Sequence, residues 1–339
     1  MTINLKQLSK LLNLSPTTVS RALADYPDVS AKTRARVKQM AIQHGYQPNP
    51  VARRLQKGKT ETIGIVITPE QNYFSDTFFI DLLSGISNQI TRAGYELILG
   101  VASDEEHEMQ SMRRMVEGKR VDGMILTLIR EQDPRVGYLL DRDFPFVLYG
   151  RTRETRPYAF VDMDGKQAFE KACTYLAGLG HRRIALLNGE PGFMFPVGCR
   201  KGYESGLFLS GLELDPDLIR EWKHKDPSQS SYRWTLELFK NDNPPTAILF
   251  QTEAVNGIFK GLDELNLQPG KDVALIGYDD LEIARIHRPS LSVLRPQARE
   301  AGQRVVNILM EVIEGEDPGK FQEIHQVEMV IRETSLPPS

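Results

Sequence analysis

The segment LSPTTVSRAL, residues 14–23, predicts a short helix with one buried face and one free face. Ser15 is a favoured N-cap residue, and Pro16 suits the first helical position because its missing N–H needs no partner there. The apolar residues of the segment repeat at helical spacing and are predicted to point inward, whereas Thr17 and Arg21 share the outer face. The segment therefore predicts a helix whose outer face is available to a binding partner.

Two further helices are predicted on either side of this one. Four leucines recur at helical spacing in residues 5–12, and Ser30 is a predicted cap for a helix that Gly45 ends. Three short helices with a tight turn before the second are typical of a helix-turn-helix unit, in which the second helix enters the major groove of DNA. The alternative interpretation is a small helical bundle with solvated charges.

The outer face of the second helix supplies the predicted DNA contacts. Arg21 and Thr17 are predicted to read bases, because arginine can bond guanine O6 and N7 together and threonine offers a hydroxyl and a methyl group. The small hydroxyl side chains nearby suit phosphate oxygens. The predicted contacts in this helix are Ser15, Pro16, Thr17, Thr18, Ser20 and Arg21.

Charge is divided unevenly along the chain. Residues 1–60 contain eleven lysines and arginines against two aspartates, a net charge of +9, so the remaining residues carry −12 within the total of −3. A basic unit attached to an acidic body is expected when a module that binds DNA phosphates is joined to a domain that does not bind nucleic acid. The division therefore favours double-stranded DNA as a partner of the first sixty residues.

Residues 49–59 repeat the pattern of a cap followed by proline and predict about two helical turns. A helix this short is marginal in water, so we expect it to be ordered only against a symmetry mate or DNA. A leucine here could enter the minor groove between base steps, whereas the alternative is a flexible linker. The predicted contacts in this segment are Asn49, Ala52, Arg53 and Leu55.

From residue 61 onward, short β-branched runs alternate with longer amphipathic stretches. This rhythm predicts an α/β body of about eight strands in doubly wound parallel sheets, enough for two lobes. Ligands bind beyond the carboxyl ends of such strands, and a polar cleft with aromatic rings there suits a sugar. The residues at these ends are Phe78, Phe79, Thr127, Arg151, Thr252, Glu253 and Asp279. Asp279 could equally cap the next helix.

Several classes of protein are disfavoured by what the sequence lacks. Nucleotide-binding and hydrolase motifs such as G-x-G-x-x-G, the P-loop, G-x-S-x-G and H-E-x-x-H are missing, so an enzyme is not expected. Cys173 and Cys199 have no ligand partners at metal-binding spacing, and neither a metal site nor a cofactor is predicted. No membrane span or secretory signal is visible, which predicts a cytoplasmic protein. A solute-binding protein would share the body but would not need residues 1–60.

The chain resembles the LacI/GalR (lactose-repressor and galactose-repressor) family of transcriptional regulators over essentially all its length. The carriers of the resemblance are LSPTTVSRAL at 14–23, VSAKTR at 29–34, YQPNPVARRL at 46–55, VDG at 121–123, LGHRRIALL at 179–187 and IGYDD at 276–280. The resemblance implies a homodimer on a palindromic operator, controlled by a small-molecule effector that is typically a sugar. It also implies that Ala52 and Leu55 belong to a hinge helix that opens the minor groove.

The resemblance further implies a periplasmic-binding-protein-like body and a set of boundaries. The expected parts are a helix-turn-helix domain at 1–48, a hinge at 49–59, an N-terminal lobe at 60–157 and 292–318, and a C-terminal lobe at 158–291 and 319–339. A terminal coiled coil for tetramers is not expected, because the chain ends without a heptad extension.

Family effector contacts carry over unevenly. Asp279 matches an effector-binding aspartate, but Cys199 stands where the family usually has an arginine, and the neighbouring Arg200 is the candidate substitute. The pair Thr252-Glu253 replaces a usual Asn-Asp pair, and Pro16 departs from the bulkier polar residues common at its position. The runs DPRV at 133–136 and FPFVLYGRT at 144–152 resemble the branch that senses α-glucosides.

Overall fold

The structure, a computed structural model, describes residues 3–46, 58–67, 77–222 and 227–336. The chain divides into two compact units, Met1–Thr60 and Glu61–Ser339. Among the described residues, no helix is both long enough and apolar enough to cross a membrane.

The first unit is a bundle of three helices. They are α1 Leu5–Leu12, α2 Pro16–Leu23 and α3 Ala31–Gln43. Their shared core consists of seven buried side chains, Leu8, Leu12, Val19, Ala22, Val29, Val37 and Ala41. Leu11, one of the four leucines of the first predicted helix, is instead half exposed. The helix is only two turns long, and its core-facing stripe is filled by Leu8 and Leu12.

The first lobe of the second unit is built on a six-stranded sheet. Its strands are β1 Thr62–Ile67, β2 Glu96–Val101, β3 Gly123–Leu126, β4 Phe146–Tyr149, β5 Ala159–Met163 and β11 Gln322–His325. They lie in the order β11-β5-β4-β3-β1-β2, and every neighbouring pair is parallel. All six residues of β1 are buried, as expected for a strand covered on both faces.

The second lobe is built on another six-stranded sheet. Its strands are β6 Ile184–Asn188, β7 Ile219–Glu221, β8 Ala247–Gln251, β9 Ala274–Tyr278, β10 Ser292–Arg295 and β12 Glu328–Val330. They lie in the order β12-β10-β9-β8-β6-β7, with β12 antiparallel to β10 and the other pairs parallel. The eight strands predicted from sequence are present, and four short ones were not predicted.

Helices cover both sheets and connect their parallel strands. They are α4 Thr77–Arg92, α5 Glu105–Glu117, α6 Pro134–Leu140, α7 Gly165–Gly178, α8 Met194–Leu209, α9 Pro227–Phe239, α10 Val255–Glu264, α11 Glu282–Ile286 and α12 Ala298–Ile313. The predicted two-lobed α/β body is thus confirmed.

The sheet topology corrects the predicted lobe boundaries in three places. Strand β5 lies in the first sheet although residues 158–291 were assigned to the second lobe, because its backbone pairs with β4. Strand β10 lies in the second sheet, paired with β9, although residues 292–318 were assigned to the first lobe. Strand β11 returns to the first sheet beside β5, although residues 319–339 were assigned to the second lobe. An apolar run indicates a strand but not the sheet that its hydrogen bonds join.

Candidate functional site

The start of α2 is fixed by its cap and by the turn before it. Ser15 Oγ accepts a hydrogen bond of 3.0 Å from the Thr18 backbone N–H, and the two hydroxyls lie 2.8 Å apart. Asn13 ends α1 in the left-handed conformation, with φ of 52°, which lets α2 begin three residues later, at Pro16. These contacts leave Pro16 and Thr17 exposed on the outer side of the helix.

Arg21 lies one turn after Thr17 on the same helix and already has a partner. Its Nη2 atom is 2.9 Å from Oδ2 of Asp28, and its guanidinium lies 4.5 Å from the centre of the Tyr26 ring. The hydrogen bond from Arg21 lowers the pKa of the Asp28 carboxyl, so this carboxylate stays ionised at neutral pH. Because both side chains are well exposed, solvent screens the pair and a phosphate or a base could replace Asp28.

Of the other predicted DNA contacts, Thr18 and Ser20 are half-buried on α2. The four predicted in the segment 49–59 lie outside the described residues and remain predictions. These are Asn49, Ala52, Arg53 and Leu55.

The carboxyl ends of the second sheet carry a pair of buried amides. Asn188 ends β6 and Gln251 ends β8, and the Gln251 Nε2 group donates a hydrogen bond of 3.0 Å to Asn188 Oδ1. The Asn188 Nδ2 group donates in turn to the Pro196 carbonyl at 3.0 Å. Both amides are held in one orientation by these bonds, as a binding site for polar groups requires.

Asp279 and Cys199 lie near these amides. Asp279 directly follows β9 with φ of 82°, and its backbone N–H donates to the Leu294 carbonyl at 2.8 Å. Burial raises the pKa of the Cys199 thiol well above its usual value, and the Asp279 carboxylate raises it further, while Gln251 opposes this through a hydrogen bond. Cys199 is therefore a neutral thiol beside the carboxylate.

Each lobe contributes a pair of aromatic rings near the carboxyl ends of its strands. Phe78 and Tyr149 of the first lobe have ring centres 5.9 Å apart, and Phe195 and Tyr278 of the second lobe have ring centres 4.6 Å apart. Burial raises the pKa of the Tyr278 hydroxyl, and Tyr149 and Asp279 act in the same direction.

Polar groups of the first lobe complete the cleft. Arg151 follows β4, and its Nε atom is 2.5 Å from Oδ2 of Asp162 on β5. Burial raises the pKa of the Asp162 carboxyl, although Arg151 acts to lower it. Thr127 follows β3 and is buried, and within the described part of the chain its Oγ1 atom has no hydrogen-bond partner.

Comparisons with known proteins agree with both units. The model for bacterial regulatory proteins of the lacI family matches residues 4–49, and that for a periplasmic binding protein-like domain matches residues 173–335. The HTH-type transcriptional regulator AglR of Rhizobium meliloti (strain 1021) is 35% identical over 344 residues, covering 99% of this chain and 95% of that protein. The chain belongs to the lacI family of bacterial regulatory proteins.

A second relative supports the lacI-family assignment, and a solved structure supports the fold. The HTH-type transcriptional regulator RafR of Escherichia coli is 32% identical over 323 residues, covering 94% of this chain and 95% of that protein. The lac repressor dimer, solved bound to operator and the anti-inducer ONPF, shares the fold with a TM-score of 0.85 at 22% identity, over 99% of this chain and all of that one. The prediction of a DNA-binding transcriptional regulator, and not an enzyme, is confirmed.

The predicted effector residues are divided between the cleft and other places. Phe78 and Asp279 line one cavity, whereas Phe79, one residue further along α4, is 3% exposed and packs in the hydrophobic core. Glu253 is exposed after β8, and the side chain of Thr252 lies outside the described part of the structure. The aromatic wall predicted from Phe78 and Phe79 is therefore supplied by Phe78 with Tyr149.

Arg200, the candidate substitute for the lacI-family arginine, is paired with two carboxylates other than Asp279. Its Nε atom is 2.9 Å from Oε1 of Glu204, and its Nη1 atom is 3.3 Å from Oε2 of Glu221. These contacts raise the pKa of Arg200, with the hydrogen bond to Glu204 as the largest cause. Its charge is neutralised at the edge of the site.

Sequence reasoning missed several groups in the cleft. The predicted contacts follow the strands, whereas Asn188 and Gln251 are the last residues of their strands. A polar residue that ends an otherwise apolar run was the available signal. Phe195 gave no such signal because it lies within α8. Among the described residues, no cluster of three or more potential metal ligands is present.

Proposed function

We propose that this lacI-family regulator is a cytoplasmic repressor that binds a palindromic operator as a homodimer and is controlled by an uncharged sugar in the cleft. The choice of an uncharged ligand rests on one observation, which is that two arginines of the cleft are paired with carboxylates. Arg151 is matched by Asp162, and Arg200 is matched by Glu204 and Glu221. A phosphate or carboxylate ligand would therefore have to displace one carboxylate from Arg151 or two from Arg200.

The remaining groups suit hydroxyls and apolar ring faces. Carboxylates accept hydrogen bonds from hydroxyls, amides can both donate and accept, and aromatic rings stack against the apolar face of a pyranose. Asp279, Gln251 and Asn188 supply the polar groups, and Tyr149 and Phe195 lie among the rings. The resemblance to the α-glucoside-sensing branch favours a glucoside as the sugar.

On the DNA side, we assign base reading to Thr17 and Arg21 and minor-groove opening to Leu55. Each bundle would take one half-site, and the two hinge segments would pair at the centre of the operator. Effector binding would change whether these segments can meet. A coupling free energy of about 1–3 kcal/mol would change operator affinity about 5- to 150-fold, which is enough for a switch.

The test begins with selection of DNA by the full-length protein from random duplexes at moderate salt. We expect enrichment of a palindrome, and we expect one sugar of a panel of glucosides and galactosides to weaken binding to it. Glucose 6-phosphate and glucuronate serve as charged controls and should have no effect. Failure to enrich any sequence contradicts the operator assignment, and a response to the charged controls alone contradicts the uncharged ligand.

A further inference from the structure

A cavity of about 420 Å³ lies beside the cleft and shares Phe78 and Asp279 with it. This volume falls in the range of about 300–1,000 Å³ that is typical of small-molecule sites. We infer that the cavity is a second sugar subsite, so that the effector has at least two rings. The inference rests on the proposed sugar function and extends it to the size of the ligand.

Both lobes contribute walls to this cavity. Asp81 on α4 and Arg299 on α12 belong to the first lobe, and Asp280 and Arg285 belong to the second. A ring in this space would therefore contact both lobes beside Pro296 and Gln297, the segment that joins β10 to α12. By contacting both lobes at once, the second ring would stabilise the arrangement of the lobes in which these contacts form.

Positively and negatively charged side chains line the cavity and form ion pairs with one another. Arg299 Nη2 lies 2.9 Å from Asp81 Oδ1, and Arg295 Nη2 lies 2.6 Å from Glu328 Oε2. Guanidinium groups donate to hydroxyl oxygens and carboxylates accept from hydroxyl protons, so such pairs suit a polyhydroxyl ligand. The lining contains five carboxylates and three guanidinium groups, which disfavours an anion.

One wall is fixed before any ligand binds. The side chain of Asp280 is 3% exposed and lies 2.8 Å from Arg285 Nη2 and 2.7 Å from Arg332 Nη2. A group held by two ion pairs keeps its place, and pre-organised polar groups are what a specific subsite needs.

Gln297 offers a way to fill the cavity without disturbing α12. It is exposed, lines the cavity, and makes no side-chain cap hydrogen bond although it stands at the N-cap position. The variant Gln297→Trp places an indole in the space, and Gln297→Ala is its matched control. The variant Arg299→Ala removes a wall group without adding volume and serves as an independent second variant.

Isothermal titration of the full-length protein measures the dissociation constants of maltose, isomaltose, sucrose, melibiose and cellobiose, and of glucose, galactose and fructose. The tightest disaccharide should bind at least about tenfold more weakly to Gln297→Trp, a change of about 1.4 kcal/mol, and more weakly to Arg299→Ala. Gln297→Ala should weaken its binding less than Gln297→Trp does, because alanine leaves the cavity open, and monosaccharide binding should be equal in all four proteins.

Two results would overturn the second subsite while leaving the sugar effector intact. One is a disaccharide that binds Gln297→Trp and Arg299→Ala as tightly as it binds the unaltered protein. The other is a monosaccharide that binds as tightly as the disaccharide containing it. If no sugar of the panel binds the unaltered protein, the proposed sugar effector fails and the subsite fails with it.

Discussion

Arg21 in the three-helix unit and Arg135 in the body are both paired with carboxylates, but their surroundings differ. The side chains of Arg21 and its partner Asp28 are 38% and 55% exposed. Those of Arg135 and its partners Glu108 and Asp133 are at most 3% exposed. Water screens the first pair and lets it exchange, whereas separation of the buried groups would leave a charge without solvation.

The comparison separates arginines that can serve binding from arginines that hold the fold. Arg135 also donates to the carbonyls of Thr127 and Leu128, which fixes the loop after β3 at the cleft. Within the described part of the chain, Arg21 makes no comparable hydrogen bonds to core carbonyls, so its guanidinium can exchange Asp28 for another partner. Four predictions test this difference, in order of decreasing expected effect.

The largest effect is expected for Glu108→Ala. Glu108 accepts from Arg135 Nη1 at 2.7 Å and from Arg130 Nη2 at 2.9 Å, so its loss removes one of the two buried carboxylates that pair with Arg135 and the buried carboxylate that pairs with Arg130. The free energy of unfolding should fall by about 3–5 kcal/mol, measured by urea denaturation followed by circular dichroism. Glu106→Ala removes an exposed carboxylate from the same helix and should change it by less than about 0.5 kcal/mol. Equal effects of the two variants would refute the buried network.

Arg21→Ala should weaken binding to the selected operator about 10- to 100-fold, because a two-point contact with guanine is lost. Fluorescence anisotropy with labelled operator measures this, and the thermal unfolding of the body should not change. Arg21→Lys keeps the charge without the forked geometry, so it should retain affinity for random DNA but lose much of the sequence preference. Operator affinity within about twofold of normal for Arg21→Ala would exclude base reading by this residue.

Ser15→Ala tests how α2 is set in place. Loss of the hydrogen bond from the Thr18 N–H should lower the local stability of α2 by about 1 kcal/mol, measured by hydrogen exchange at the Thr18 amide in the full chain. Thr17→Ala, on the exposed face, should leave this exchange unchanged while altering the selected DNA sequence. If both variants accelerate exchange equally, the cap does not fix the helix.

The smallest effect is expected in the response to acid. Burial acts to raise the pKa of Asp133, but hydrogen bonds and charges from Arg135 and Arg130 together hold it below its ordinary value. The ionised group therefore stabilises the body above the unfolded-state pKa of about 3.9, and this contribution is lost as the pH falls through the lower folded-state pKa. Asp133→Asn should show a shallower loss of stability below about pH 4 in acid unfolding curves. If the variant and the unaltered protein lose stability equally steeply below this pH, the lowered pKa of Asp133 is contradicted.

The two units also differ in how much their sequences predict. The three helices follow from local signals, namely the caps Ser15 and Ser30 and the spacing of apolar residues, and the structure confirms them. The cleft depends on which strand ends meet in space, so Asp279 was predicted from its place after β9 whereas Phe195 was not. The sequence pattern also does not separate Phe78 from Phe79. Phe78 faces the cavity and Phe79 faces the core, because the packing of α4 sets the rotation of this helix about its axis.

The route of the chain between the two sheets limits how relatives of this regulator can be recombined. The backbone passes from the first lobe to the second after β5, returns between β10 and α12, and crosses again between β11 and β12. Exchange of one lobe for that of another regulator therefore needs three matched junctions. Exchange of the three-helix unit needs only one, near the boundary between Thr60 and Glu61. Replacement of the three-helix unit, which would change the operator preference, should accordingly disrupt the protein far less than replacement of one lobe of the effector-binding body.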